Sequence, residues 1–80
     1  MKAKIIVNLK EIVLDPQGET ILHSLNEMGY DEIKKVRQGK IFFVEIDESD
    51  EEKGRKKLEE IAHKVLSNPV IETYVIEIEK

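Results

Sequence analysis

Ile41-Phe42-Phe43-Val44-Glu45-Ile46 places apolar side chains on both faces of one short strand. Successive side chains on a strand point to opposite faces, so Phe42, Val44 and Ile46 share one face while Ile41 and Phe43 share the other. In a chain of 80 residues, two helices can cover one face of a small sheet but hardly both. We therefore expect Phe42, Val44 and Ile46 to form a self-association face that a second polypeptide covers.

Two segments of the chain carry helix signals. Asp15 can cap a first helix, Pro16 suits its first turn, and Gly29 can end it in the left-handed conformation. Ser49, three residues before Glu52, has the spacing of a capping box at the start of a second helix. Apolar residues follow both start signals at helical spacing, which predicts two amphipathic helices.

Four segments have strand character, and they alternate with the helices in the order β-α-β-β-α-β. This order is typical of an α+β, ferredoxin-like fold, in which a four-stranded antiparallel sheet carries two helices on one face. We predict a single domain over residues 1–80. The expected strands are Lys2–Leu9, Ile33–Val36, Ile41–Asp47 and Val70–Ile78.

Composition restricts the function of the chain. A formal net charge of −4 argues against nucleic acid, whose phosphates require a basic surface. The chain has no cysteine, so neither a disulfide framework nor a thiolate metal site can support it. It has no apolar run of signal-peptide or membrane-spanning length, so we expect no membrane association and a cytoplasmic protein.

The sequence does not assemble a catalytic site. His23 and Glu27 are four residues apart on the first predicted helix, but two ligands are too few for a metal site. His63 flanks the apolar stripe of the second helix. Gly18 and Gly39 are isolated, so no glycine-rich phosphate loop exists. We predict that no residue of this chain is catalytic, binds a cofactor or ligates a metal.

Three connecting segments are more informative than the helices and strands. They are residues 13–18 (Val-Leu-Asp-Pro-Gln-Gly), 36–40 (Val-Arg-Gln-Gly-Lys) and 66–74 (Leu-Ser-Asn-Pro-Val-Ile-Glu-Thr-Tyr). In order and spacing, over the whole chain, they resemble PurS, the family of small subunits of phosphoribosylformylglycinamidine synthase.

This resemblance implies an accessory subunit of a glutamine-dependent ATP ligase (EC 6.3.5.3) in purine biosynthesis. The complex converts formylglycinamide ribonucleotide, ATP, glutamine and water to the formylglycinamidine, ADP, phosphate and glutamate. The expected partners are a second copy of the chain, as a dimer or tetramer, a PurL-type ligase subunit and a PurQ-type glutaminase subunit. The chain would bridge these two subunits and assist ammonia transfer.

The resemblance also implies which groups lie where in the complex. ATP, Mg²⁺ and ADP are expected on the large subunit, and no cofactor on this chain. The residues expected to contact partners lie in the three matching segments; they are Asp15, Pro16, Gln17, Gly18, Arg37, Gly39, Lys40, Asn68 and Pro69.

Other proteins share the predicted fold, so topology alone does not decide function. One alternative is a ligand-sensing domain of the ACT type. Another is an RNA-recognition-like module, although the first strand lacks the stacking aromatic of that class and the charge is acidic. An acylphosphatase-like enzyme would need an arginine in the loop after the first strand, which offers only Lys10.

Overall fold

The computed structural model describes residues 1–79, so Lys80, the last residue of the predicted domain, lies outside the described residues. Its three strands are β1 (Lys2–Leu9), β2 (Gly39–Glu45) and β3 (Glu72–Glu79). They form one sheet in the order β2-β1-β3, with both outer strands antiparallel to β1. The alternation of residues 2–9 predicted β1 correctly because this central strand is buried on one face only.

The two helices are α1 (Pro16–Glu27) and α2 (Glu51–Ile61), and a π-helical turn, Ala62–Leu66, follows α2. The predicted start and stop of α1 are confirmed: Asp15 caps the helix, and Gly29 has a φ of 99° just beyond its end. The capping box at Ser49 is wrong by one residue. Asp50 caps α2 instead, because its carboxylate accepts hydrogen bonds from the backbone N–H groups of Glu52 and Lys53.

The core lies between the sheet and α2. Ala3, Ile5 and Val7 of β1 are buried against Leu58 and Ala62 of the second helical segment. Neighbouring strands complete this inner face with half-buried apolar side chains, namely Phe42, Val44, Tyr74, Ile76 and Ile78. No helix within residues 1–79 is both long and apolar enough to cross a membrane.

The first helix does not cover the sheet. Among the described residues, α1 makes at most isolated contacts with the strands and with α2. The chain is therefore elongated, with extents of 50 × 27 × 14 Å and a radius of gyration of 16.1 Å. A compact domain of this length has a radius of gyration of about 12 Å.

The prediction of a four-stranded sheet with two helices on one face is wrong. Residues 33–36 form no strand, and of the two helices within residues 1–79, α2 packs on the sheet whereas α1 does not. The physical reason is the direction of α1, which leads the chain away from the edge of β2, where residues 33–36 would otherwise pair. These residues instead run back along α1, where the Asn26 side chain donates a hydrogen bond to the Ile33 carbonyl (3.2 Å).

The placement of Phe42, Val44 and Ile46 on a helix-free face is also wrong. Phe42 lies opposite Ile5, and Val44 opposite Ala3, so these side chains share the inner face with the buried residues of β1. The helix-free outer face carries the alternate residues of β2 instead. Ile41 and Phe43 are 54% and 75% exposed there.

Candidate interaction surfaces

Asp15 forms hydrogen bonds with both ends of the long segment that leaves β1 and returns to β2. Its Oδ1 accepts a hydrogen bond from the Gly18 N–H (3.0 Å), and its Oδ2 accepts one from the Gln38 N–H (2.7 Å). The side chain is only 5% exposed. These two backbone hydrogen bonds, the Gly18 bond foremost, and the nearby Arg37 guanidinium hold the pKa of this carboxyl below its ordinary range, so it is an anion at neutral pH.

Arg37 connects the two ends of the same segment through its guanidinium group. Its two terminal guanidinium nitrogens donate to the carbonyl oxygens of Val13 (2.8 Å) and Lys10 (2.9 Å). Lys10 in turn donates its backbone N–H to the Ile71 carbonyl (2.8 Å), which leads directly into β3. A continuous series of hydrogen bonds therefore runs from the sheet to the base of α1.

Gly18 lets the chain close at this point. A Cβ on residue 18 would collide with the Val36 carbonyl oxygen and would lie 2.8 Å from the Asp15 Oδ2. The first turn of α1 thus packs directly on the returning backbone, and only glycine leaves room for it. We call the group formed by Asp15, Gly18, Arg37 and Gln38 the latch.

Glu72, at the start of β3, joins two further segments. Its carboxylate lies 3.7 Å from Lys40 Nζ and accepts a 2.6 Å hydrogen bond from the Asn68 N–H. The Asn68 side-chain oxygen also accepts from the Val70 N–H (3.1 Å), which shapes the turn around Pro69. Asn68 and Lys40 are thus held by one acidic side chain.

The latch and Glu72 border one cleft of about 210 Å³ at the end of the sheet. Val7 and Leu9 contribute the apolar part of its lining. Four of its other lining residues were singled out from the sequence, namely Asp15, Gln17, Gly39 and Lys40, and the remaining two are Gln38 and Glu72. The three matching sequence segments therefore meet at one end of the molecule.

The sequence-predicted contact residues differ in their accessibility. Asp15 and Gly18 are buried within the latch, and Arg37 donates two hydrogen bonds to backbone carbonyls of its own chain. Pro16, Gln17, Gly39, Lys40, Asn68 and Pro69 are exposed. Sequence reasoning missed Gln38 and Glu72. Glu72 could have been found because an acidic residue following Asn-Pro is well placed to accept from the turn.

Within residues 1–79, two apolar surfaces lack a partner from the same chain. On α1 these are half-buried or exposed side chains at helical spacing, namely Ile21, Leu22, Leu25 and Met28. On the outer face of the sheet, Ile6 lies opposite both Ile41 and Val75, and Phe43 stands beside this row. A monomer rarely exposes so many contiguous apolar side chains without using them in an interface.

Metal-ligating side chains do not cluster in residues 1–79: no group of three or more histidine, cysteine or acidic residues could hold an ion. His23 Nε2 and Glu27 Oε1 lie 3.1 Å apart as an exposed pair one helical turn apart on α1. This pair is an ordinary surface contact of a helix.

Comparison with known proteins adds a family to this geometry. Residues 2–80 match the family described as PurS, phosphoribosylformylglycinamidine (FGAM) synthase. The PurS subunit of phosphoribosylformylglycinamidine synthase from Methanocaldococcus jannaschii is 40% identical over 79 residues, which cover 99% of this chain and 95% of the relative.

Two solved structures resemble the fold. Bacillus subtilis PurS in a C2 crystal form aligns with a TM-score of 0.88 and 43% identity, over 99% of this chain and 98% of that one. A chain from the structure of PurLQS from Thermotoga maritima aligns with a TM-score of 0.87 and 34% identity, over 95% and 93% of the two chains. The protein thus belongs to the PurS family and is a subunit of phosphoribosylformylglycinamidine synthase, an enzyme of purine biosynthesis.

Proposed function

We propose that the chain is the accessory subunit that joins a PurL-type ligase subunit to a PurQ-type glutaminase subunit and assists ammonia transfer between them. The observation that carries this proposal is the similarity in fold, with a TM-score of 0.87 and 34% identity, to a chain of the structure of PurLQS from Thermotoga maritima. ATP, Mg²⁺ and ADP then belong to the large subunit, and the complex works in the cytoplasm.

The contacts to these larger subunits are proposed at the end of the sheet where the three matching segments meet. The accessible members are Pro16, Gln17, Gly39, Lys40, Asn68 and Pro69. Asp15, Gly18 and Arg37 support that surface from within. The side chains of Asp15 and Arg37 form hydrogen bonds with backbone groups of their own chain, and the returning backbone leaves no room for a side chain at Gly18.

A second copy of the chain is the proposed partner for the apolar surfaces. The apolar side of α1 is a helix surface without a sheet, while the inner face of β2 around Phe42, Val44 and Ile46 is a sheet surface on which α1 does not pack. Both surfaces are apolar, so each could bury the other, but they do not contact each other within one chain. Two copies related by a two-fold axis can satisfy both surfaces at once.

Reconstitution from purified components tests the accessory role. The chain is mixed with the PurL-type and PurQ-type proteins of its own genome, together with glutamine, Mg²⁺ and ADP, and the mixture is separated by size. We expect one peak that contains all three proteins and a glutamine-dependent ligase activity that requires this chain. Full glutamine-dependent activity from the two larger proteins alone would refute the proposal.

Surface variants locate the contact within that assembly. Lys40→Glu reverses an exposed charge at the cleft, and Lys34→Glu, exposed on the returning segment outside the cleft, is the matched control. We expect the first to weaken assembly and the second to leave it intact. Equal behaviour of the two variants would place the contact elsewhere.

Sedimentation tests self-association independently of the larger subunits. We expect a particle of at least twice the 9.3 kDa chain mass at micromolar concentration. Leu22→Asp on α1 should dissociate it, because an unpaired charge in an apolar interface is costly. Thr20→Asp, at an exposed position on the side of the same helix that faces away from its apolar residues, is the control that should still associate.

A further inference from the structure

Within residues 1–79, the segment between β1 and β2 projects from the sheet and is bonded to the rest of the chain near its base. Residues 16–38, which we call the arm, comprise α1 and the backbone that returns from it. Asn26 binds the returning backbone twice, through its side-chain amide, at the Tyr30 carbonyl (3.0 Å) and the Ile33 carbonyl (3.2 Å). The arm therefore has internal connections of its own but hardly touches the sheet.

A closed alternative is compatible with the local sequence. If α1 turned back at residues 10–15, it would lie on the inner face of β2, and residues 33–36 could pair with the edge of β2. That arrangement is the four-stranded sheet with two helices predicted from the sequence pattern. The closed arrangement would add a strand at residues 33–36, would release the Ile33 carbonyl from the Asn26 side chain, and would change the direction of the chain at the base of the arm.

The latch fixes the base in the open direction. In the closed arrangement the loop of residues 10–15 would reverse, and Arg37 could not reach the carbonyls of Lys10 and Val13 while Lys10 remained bonded to Ile71. Asp15 adds the second restraint, since one carboxylate accepts from both the outgoing and the returning backbone. A neutral amide at this position could accept only one of these two hydrogen bonds.

We infer that Asp15 and Arg37 form a conformational latch that prevents the arm from folding onto its own sheet and so keeps it available to a second copy. Their role is positioning within the chain, and neither needs to touch a partner. The part that concerns association rests on the proposed self-association, whereas the direction of the arm is a property of the single chain. Hinge segments of this kind decide between closed monomers and chains that exchange an element.

The test compares Asp15→Asn and Arg37→Lys with the parent chain. The first keeps the size of the side chain, and the second keeps the charge but loses the fork that spans two carbonyls. Asp31→Asn and Lys34→Arg are matched controls at exposed positions of the arm that lie outside the latch. Small-angle scattering over a concentration series, extrapolated to the dissociated chain, measures the arm direction, and sedimentation measures association.

For the parent and the controls we expect a monomer radius of gyration near 16.1 Å. For the latch variants it should fall toward the value of about 12 Å for a compact domain. Both copies must keep the arm open, so if only one molecule in ten does so, the apparent dissociation constant of the dimer rises by about a hundredfold. Amide exchange should become faster at residues 10–38 while β1 and β3 stay protected, which separates a released arm from an unfolded chain.

Each outcome decides one of the two proposals. Latch variants that keep the parent's radius, arm protection and dissociation constant would overturn the latch. Should Asp15→Asn lose the protection of β1 as well, Arg37→Lys alone carries the same comparison. A parent chain that stays monomeric at every concentration would overturn self-association, and the radius and amide exchange would still test the latch.

Discussion

Two glycine-to-alanine substitutions should have opposite effects on stability, although both glycines are buried in helices. Gly18 lies in the first turn of α1, and Gly54 lies in α2. Alanine is favoured over glycine in a helix by at most about 1 kcal/mol, and the gain is smaller near a helix start. Because this gain is small at both positions, the atoms around each new Cβ determine whether the free energy of unfolding rises or falls.

At Gly18 the new Cβ would meet rigid atoms. The Val36 carbonyl oxygen is backbone, and the Asp15 Oδ2 at 2.8 Å is held by the Gln38 N–H. Overpacking of this kind costs about 1–3 kcal/mol, which exceeds the helix-propensity gain. We therefore expect Gly18→Ala to lower the free energy of unfolding by about 1 kcal/mol or more, which corresponds to about 4–8 °C in Tm for a domain of this size.

At Gly54 the new Cβ would meet the free end of a flexible side chain. The nearest atoms are Sδ and Cε of Met1, at 2.5 and 2.9 Å, and rotation of that side chain can remove both contacts. Gly54→Ala should therefore leave the free energy of unfolding unchanged or raise it by up to about 1 kcal/mol.

Urea unfolding followed by circular dichroism, with all chains at one protein concentration, measures both changes, because self-association makes apparent stability depend on concentration. A positive control for the helix-propensity gain is Ser24→Ala on the exposed side of α1. If Gly18→Ala proved as stable as Gly54→Ala, the returning backbone could not lie against the first turn of α1, and the latch geometry would be refuted.

The remaining predictions concern the sheet, the latch carboxylate and the chemistry of the isolated chain. Phe43→Asp should change the stability of the dissociated chain by less than about 0.5 kcal/mol because the ring is exposed. Phe42→Asp, at a position packed against the core, should lower the stability by several times that amount. Equal losses in urea unfolding would contradict the register of β2. Because the pKa of Asp15 is lowered in the folded chain, its stabilising effect is complete above the pKa of the unfolded chain and is lost as the pH falls through the folded value. The stability difference between the parent and Asp15→Asn should accordingly be constant near neutrality and shrink below about pH 4, and a difference independent of pH down to pH 2 would rule out the ionised latch. The purified chain alone should hydrolyse neither ATP nor glutamine, and turnover that follows the chain through successive purification steps would overturn the accessory role.

The parts of the fold set by local rules were predictable from the sequence. Residues 2–9 alternate because β1 is buried on one face and faces outward on the other, and Asp15-Pro16 begins a helix because a short acceptor before proline suits a helix start. The one-residue error at α2 has the same local origin. Ser49 and Asp50 are both good caps, and the pattern alone does not say which residue turns its side chain to the helix.

The face of β2 was not predictable in this way. Alternation groups Phe42 with Val44 and Ile41 with Phe43, but since both groups are apolar, it does not indicate which of them faces α2. The choice is fixed by register against β1, where Ile5 lies opposite Phe42, and a shift of one residue would exchange the faces. A strand with one polar face would have removed the ambiguity.

The direction of the arm lies beyond local pattern altogether. The hydrogen bond from Gln38 to Asp15 joins residues 23 positions apart, and those from Arg37 to Val13 and Lys10 join residues 24 and 27 apart. Each of these residues also has an adequate local explanation, as a cap, a turn residue or a solvated cation. Two of the three matching segments, residues 13–18 and 36–40, nevertheless contain the whole latch. The connecting loops therefore hold the residues that fasten α1 at its base, and helix and strand periodicity could not reveal them because their hydrogen bonds join positions far apart in the sequence.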